Sequence, residues 1–169
     1  MSTSSLLQRL DPVVDPITGL VGSNFSSSNR RKVETFRPAG AIVAGEWVAL
    51  DHSQSGADRA LYVKPQDTAA PDLNLVVGVA LIGTADLDDG EVGIPCVVGG
   101  YHYQADILVG ATTTMAAGTL LAAGTTAGTA IAKTAATERT IGVLLADAVN
   151  AAGSPAVIQA DVMVAQLWG

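Results

Sequence analysis

GVALIGTADLDDGEVGIPCVVGG, residues 78–100, and GVLLADAVNAAGSPAVIQADVMV, residues 142–164, share one texture: a Gly-Val-x-Leu run, an acidic or small-residue turn, a glycine, then a second apolar run. Runs of four to eight apolar residues punctuated by Gly, Asp and Pro are the pattern of short strands joined by tight turns. Working outward from these two stretches, the halves of the chain match in order. AGEWVAL (44–50) stands against AGTLLAA (117–123), LYVKP (61–65) against AIAKT (130–134), and VVGVALIG (76–83) against TIGVLLAD (140–147). The closing strands follow Gly90 and Gly153. The offset between partners falls from 73 residues at the first pair to 64 at the Gly-Val pair and 63 at the turn. The expectation is one strand-turn unit used twice, as a pseudo-repeat over 41–107 and 114–169, whose apolar faces are buried by packing together or by closing into a barrel.

Composition agrees with strands. The 169 residues are 49% hydrophobic but only 4% aromatic, so the apolar content is small and β-branched and suits close-packed sheets better than a ring-lined pocket. Alanine alone would favour helix. Gly110, Gly118, Gly124 and Gly128, however, interrupt the Ala/Thr-rich region, and each interior Gly costs a helix about 1 kcal/mol. The fold class is therefore all-β, a compact barrel or sandwich, with at most a short helix near residues 5–10 or 145–151. The uncharged run 108–132 has the length of a membrane span, but its four glycines and seven threonines make it too polar and too interrupted for one. The segment MSTSSLLQRLDP has no continuous apolar core and does not read as a secretory signal. Pro95 lacks an amide donor and predicts an edge or a bulge in its strand.

Residues 1–39 differ from the rest. Two Asp-Pro pairs, Gly19, Gly22 and a Ser/Asn cluster favour extended or turn backbone, so this segment reads as an N-terminal arm and 40–169 as the β-rich body. The net charge is −7, yet the arm holds five basic residues against three acidic ones. The acidic balance excludes a nucleic-acid surface, which needs clustered Lys and Arg. Within NRRKVETFR (29–37), three adjacent cations with flanking aromatics form a candidate docking segment: Phe25, Arg30, Arg31, Lys32, Phe36 and Arg37. The plainer alternative is a solvated charged linker.

Candidate chemistry is sparse. DLDDGE (86–91) clusters carboxylates, but a helix-loop-helix calcium loop needs a bidentate acid at its twelfth position, where Val97 stands; a hairpin turn at Asp89-Gly90 is the better reading. Cys96, His102 and Asp106 would make a thiol nucleophile with its base only if Gly99-Gly100 folded the chain back. The apolar surroundings of the single cysteine, Cys96, predict a buried inert thiol. Asp51, His52 and Asp58 lie in a loop of solvated-turn composition. Serine-hydrolase, phosphate-loop and paired Cys/His spacings are missing, so neither an enzyme nor a cofactor or metal site is expected.

The runs AGAIVAGEWVAL, VVGVALIGTADLDDGEVGIPCVVGGY, AGTLLAAG and TIGVLLADA resemble the small Ala/Gly/Thr/Val-rich decoration (cement) proteins of tailed-phage capsids over about residues 40–169. That resemblance implies a homotrimer on the outer face of an icosahedral shell. It would be made in the host cytoplasm, bridge subunits of the major capsid protein and stabilise the head, with the arm reaching to adjoining subunits. It implies no membrane and no direct nucleic-acid contact. The longer arm and the 50–60 loop depart from the small members of that group. The other function class is a phage or cell-surface β module, such as a fibre base or carbohydrate-binding domain, with Trp47, Tyr62, Tyr101, Tyr103 and Trp168 as candidate sugar platforms.

Overall fold

The computed structural model describes residues 31–67, 75–87 and 92–165. It is all-β. Eleven strands follow in order: β1 (Arg31–Pro38), β2 (Trp47–Leu50), β3 (Tyr62–Pro65), β4 (Val76–Ala80), β5 (Ile94–Val109), β6 (Thr113–Met115), β7 (Leu120–Ala123), β8 (Ala130–Ala132), β9 (Gly142–Leu144), β10 (Ala148–Asn150) and β11 (Ala156–Val164). The helical turns among the described residues are two short 3₁₀ segments, Gly56–Ala60 and Thr84–Asp86. Of the two places where the sequence allows at most a short helix, residues 145–151 hold β10 instead, and residues 5–10 lie outside the described residues. The uncharged run 108–132 supplies the end of β5 and strands β6, β7 and β8.

The main sheet has nine strands in the order β1-β3-β2-β4-β5-β11-β9-β7-β8, with further pairings of β1 to β5 and of β5 to β8. Those two extra pairings close two five-stranded barrels: β1-β3-β2-β4-β5 and β5-β11-β9-β7-β8. The 16-residue β5 belongs to both, its first half pairing with β1 and β4 and its second with β11 and β8. Closure leaves each barrel without a bare sheet edge along its wall.

The two barrels repeat each other in register. Trp47 pairs with Val79 and Val48 with Gly78 in the first; Leu120 pairs with Val143 and Leu121 with Gly142 in the second, preserving the 73- and 64-residue offsets seen in the sequence. Gly45 and Gly118 both have positive φ, 92° and 86°, where a side chain would be strained. Their amides donate to Ala80 O (2.9 Å) and Leu144 O (2.7 Å), again 64 residues apart. Gly78 and Gly142 are glycine for a shared reason. A Cβ at Gly78 would overlap the Val97 carbonyl, and one at Gly142 would lie 2.9 Å from the Met163 carbonyl, the equivalent position.

Three expectations need correction. The β3/β8 match is slipped: Leu50 pairs with Val63 while Ala123 pairs with Ala130, so Val63 corresponds to Ala130 and not to Ala132. A two-residue slip keeps every side chain on its face, which is why apolar pattern could not detect it. The repeat also starts earlier than residue 41. β1 runs antiparallel to β5 and parallel to β3, just as the second half of β5 runs antiparallel to β11 and parallel to β8. Residues 31–38, assigned by sequence to the arm, are thus the first strand of the first unit, and the second unit begins near Gly100 rather than at 114. Finally, of the edge or bulge that Pro95 predicts, the edge is absent and the bulge lies three residues on: register with β1 skips from Val97 to Gly99, past Val98, while Pro95 itself pairs with Thr35 and offers its carbonyl to Leu81 N at 2.9 Å.

Two apolar clusters fill the structure. Phe36, Ile42, Val48, Val63, Val77, Ala80, Ile94, Cys96 and Val98 fill the first barrel. The second cluster joins Ala105, Ile107, Leu121, Ile141, Leu144 and Val162 to Trp47, Val79 and Val97, which point out of the first barrel. The indole of Trp47 reaches the space left by the missing side chain of Gly142, its Cη2 standing 2.9 Å from where a Cβ would be. The outer wall of the first barrel therefore contributes to the core of the second.

Candidate functional site

The candidate docking segment divides sharply. Phe25 and Arg30 lie outside the described residues. Arg31, Lys32, Phe36 and Arg37 sit on β1, inside the sheet rather than on an arm. Phe36 is 8% exposed and packs in the first-barrel core, so it is spent on folding and cannot anchor a partner. The cations are displayed but partly engaged: Lys32 Nζ is 2.6 Å from Glu34 Oε1, and Arg37 lies 5.9 Å from the ring centroid of Tyr62, its neighbour across the β1–β3 pair. Pairs this exposed are weak, being screened by solvent, and an acidic partner can replace them at little cost. Arg31 is half-buried opposite Gly100.

The thiol–imidazole pair does not assemble. β5 runs without a break from Ile94 to Val109, so six residues of extended chain, about 20 Å, separate Cys96 from His102. Cys96 is fully buried, and burial pushes its thiol up to about 12, far from a thiolate at neutral pH. His102 is 2% exposed, and burial pushes its imidazole down to about 4, with Arg31 opposing protonation and the Ala80 carbonyl and Asp161 favouring it. Its Nδ1 accepts from Gln104 N at 3.0 Å, its Nε2 is buried without a hydrogen-bond partner, and its ring stacks on Tyr103 at 5.5 Å between centroids.

Asp51 is closed into a turn. Its carboxylate accepts from Ser53 N (3.1 Å), Ser53 Oγ (2.7 Å) and Gln54 Nε2 (2.7 Å), and these bonds, Gln54 first, hold it below the usual carboxylate range. Of DLDDGE, Asp86 caps its own 3₁₀ turn by accepting from Gly83 N at 3.0 Å, while Asp88, Asp89, Gly90 and Glu91 lie outside the described residues. No group of three or more potential metal ligands occurs among the described residues. Of the candidate sugar platforms, Trp47 is wholly buried, Tyr62 and Tyr101 are half-buried, and Trp168 lies outside the described residues. Tyr103 is 43% exposed.

Sequence reading names Asp106 only beside Cys96 and His102, and it passes over Glu46 and Asn150. Glu46 and Asp106 are half-buried carboxyls, both held above their usual range, chiefly by desolvation; Asp106 adds like-charge repulsion to Glu46, and Gln159 eases Asp106. Glu46 Oε2 accepts from Val43 N at 2.8 Å, and its side chain lies across Gly128, whose amide donates to Gln66 O. Buried Asn150 ties the second barrel's end together: Nδ2 donates to Val109 O (3.1 Å), Gly110 O (2.9 Å) and Ser154 O (2.9 Å), while Oδ1 accepts from Ala152 N (2.9 Å). No local pattern marks these residues, because part of what surrounds them is distant in sequence: Gly128 lies against Glu46, and Val109 and Gly110 accept from Asn150.

The geometry describes a twin-barrel body with basic side chains along its first strand. No protein-family model matches the chain, and comparison with curated proteins finds no match either.

Proposed function

We propose that this protein is a structural component of a tailed-phage head, binding the outer surface of the capsid as a homotrimer and bridging neighbouring major-capsid subunits. The observation that carries the reading is where the runs resembling capsid decoration proteins fall. AGEWVAL and VVGVALIG, AGTLLAAG and TIGVLLADA occupy register-equivalent strand pairs, β2–β4 and β7–β9, each with its left-handed glycine and its close-packed glycine. The sequence signature is thus the framework of a repeated small barrel, a body suited to stiffening a lattice in many copies. Weak individual contacts suffice there, because an oligomer engages several shell subunits at once and gains from effective concentration. The basic residues Arg31, Lys32 and Arg37 at the start of the body, followed upstream by residues 1–30, supply the attachment side.

The test is co-sedimentation with tailed-phage shells stripped of their own decoration protein. Full-length protein is expected to travel with the shells, and the 31–169 fragment to travel with them at reduced occupancy. The deletion must stop at residue 30, because removing β1 would open the first barrel. A full-length chain that never travels with shells would overturn the proposal.

A further inference from the structure

The register equivalence of the barrels exposes one asymmetry. In the first barrel, Trp47, Val79 and Val97 form a row across β2, β4 and β5 on the outer wall. All three are 0% exposed, because the second barrel covers them. The equivalent row of the second barrel is Leu120, Val143 and Met163, paired in line across β7, β9 and β11 and continued by Tyr101 on β5. Its members are half-buried to exposed rather than sealed: Leu120 is 47% exposed and Met163 42%, Val143 and Tyr101 are half-buried, and Leu145 is exposed as well. A repeat whose outer face is sealed by its successor leaves that same face bare on the last copy, unless a polar cap replaces it. Among the described residues no such cap is present, and the terminal row stays apolar.

We infer that the Leu120–Val143–Met163–Tyr101 row is the seat of a second copy of this chain, which covers it with one of its own barrels as the second barrel covers the first. The occupant is argued from the internal precedent: the one surface known to fit this row's equivalent is a barrel of the same repeat. The bond from Tyr101 Oη to Asp161 Oδ2 (3.2 Å) places a polar rim at the edge of the row, the arrangement of an interface with an apolar centre. A contact that continues the tandem joins unlike faces of two copies; such head-to-tail contacts give a ring when the rotation between copies closes, as a trimer requires, and an open filament when it does not. The inference deepens the trimer reading by naming the face, and does not depend on shell binding.

Sedimentation of the full chain over a concentration series, with Leu120→Lys, Met163→Lys and, as control, Val149→Lys, tests it. Val149 is more exposed (57%) but lies on β10, off the row. Self-association of the wild type, weakened at least tenfold by L120K or M163K at unchanged melting temperature and untouched by V149K, is expected. If one row variant does not fold, the other is decisive. A wild type that stays monomeric overturns the inference, as does association that survives both row variants or that V149K weakens equally. Association that only deletion of residues 1–30 abolishes assigns the contact to that segment and also overturns it. A dimer sensitive to the row variants would sink the trimer while leaving this face in place.

Discussion

Phe36 stands among charged neighbours in KVETFR, and nothing local tells an anchor displayed to a partner from a ring turned into a core; only the pairing of β1 with β5 decides it. If the ring is core, Phe36→Ala should cost about 3–5 kcal/mol in urea unfolding, whereas a linker phenylalanine would cost nothing measurable. His102 makes a second residue-level prediction. Its imidazole titrates near 4 when folded, against 6.5 when exposed, so the unfolded chain binds the proton first. Its contribution is intact above pH 6.5 and is lost as pH falls toward 4, by about 3 kcal/mol over the window. Melting temperature against pH should show that acid-side loss, and His102→Asn should flatten it. Glu46 and Asp106 act in the opposite sense. With folded pKa values above the unfolded ones, they favour folding as pH falls through their own titration, so Glu46→Gln should raise the melting temperature at pH 7 and reduce that gain.

At the scale of elements, the repeat was legible because glycine leaves fixed marks. The Gly45/Gly118 and Gly78/Gly142 pairs are demanded by backbone conformation and by close approach of a carbonyl, and they align without reference to the structure. The first strand of each unit was not legible. In one unit it is hidden in a charged segment and in the other in the far half of a long strand, and neither carries a glycine mark. Glycine necessity can be measured directly. Gly78→Ala would drive a methyl into the Val97 backbone, which cannot swing aside, so a loss of about 1–3 kcal/mol is expected; Gly153→Ala, with open space around it, should change stability by less than about 0.5 kcal/mol. Thermal melts of the two variants beside the wild type check this.

For the whole molecule, β5 makes two barrels one folding unit. Neither barrel closes without it, and Trp47, Val79 and Val97 are anchored in one barrel while buried in the core of the other. Unfolding should therefore be a single transition, with Trp47 fluorescence in a Trp168→Phe background and far-ultraviolet dichroism losing their signals together; two separated transitions would refute the coupling. The all-β class was readable from spacing and composition. Closure into twin barrels was not, because it depends on which distant strands share β5, and alternation along a strand carries no record of its neighbours.

Arg31 and Val164 both stand opposite Gly100, so the chain enters and leaves the described body on either side of one glycine, about two strand spacings or 10 Å apart. A linker of a few residues can splice those ends, and fresh termini can be opened in the surface turn around Ser55 without cutting a strand: a circular permutant should fold with the parental dichroism. By the same geometry, cargo genetically fused directly at residue 31 and at residue 165 would emerge side by side, letting the body carry two payloads at one spot.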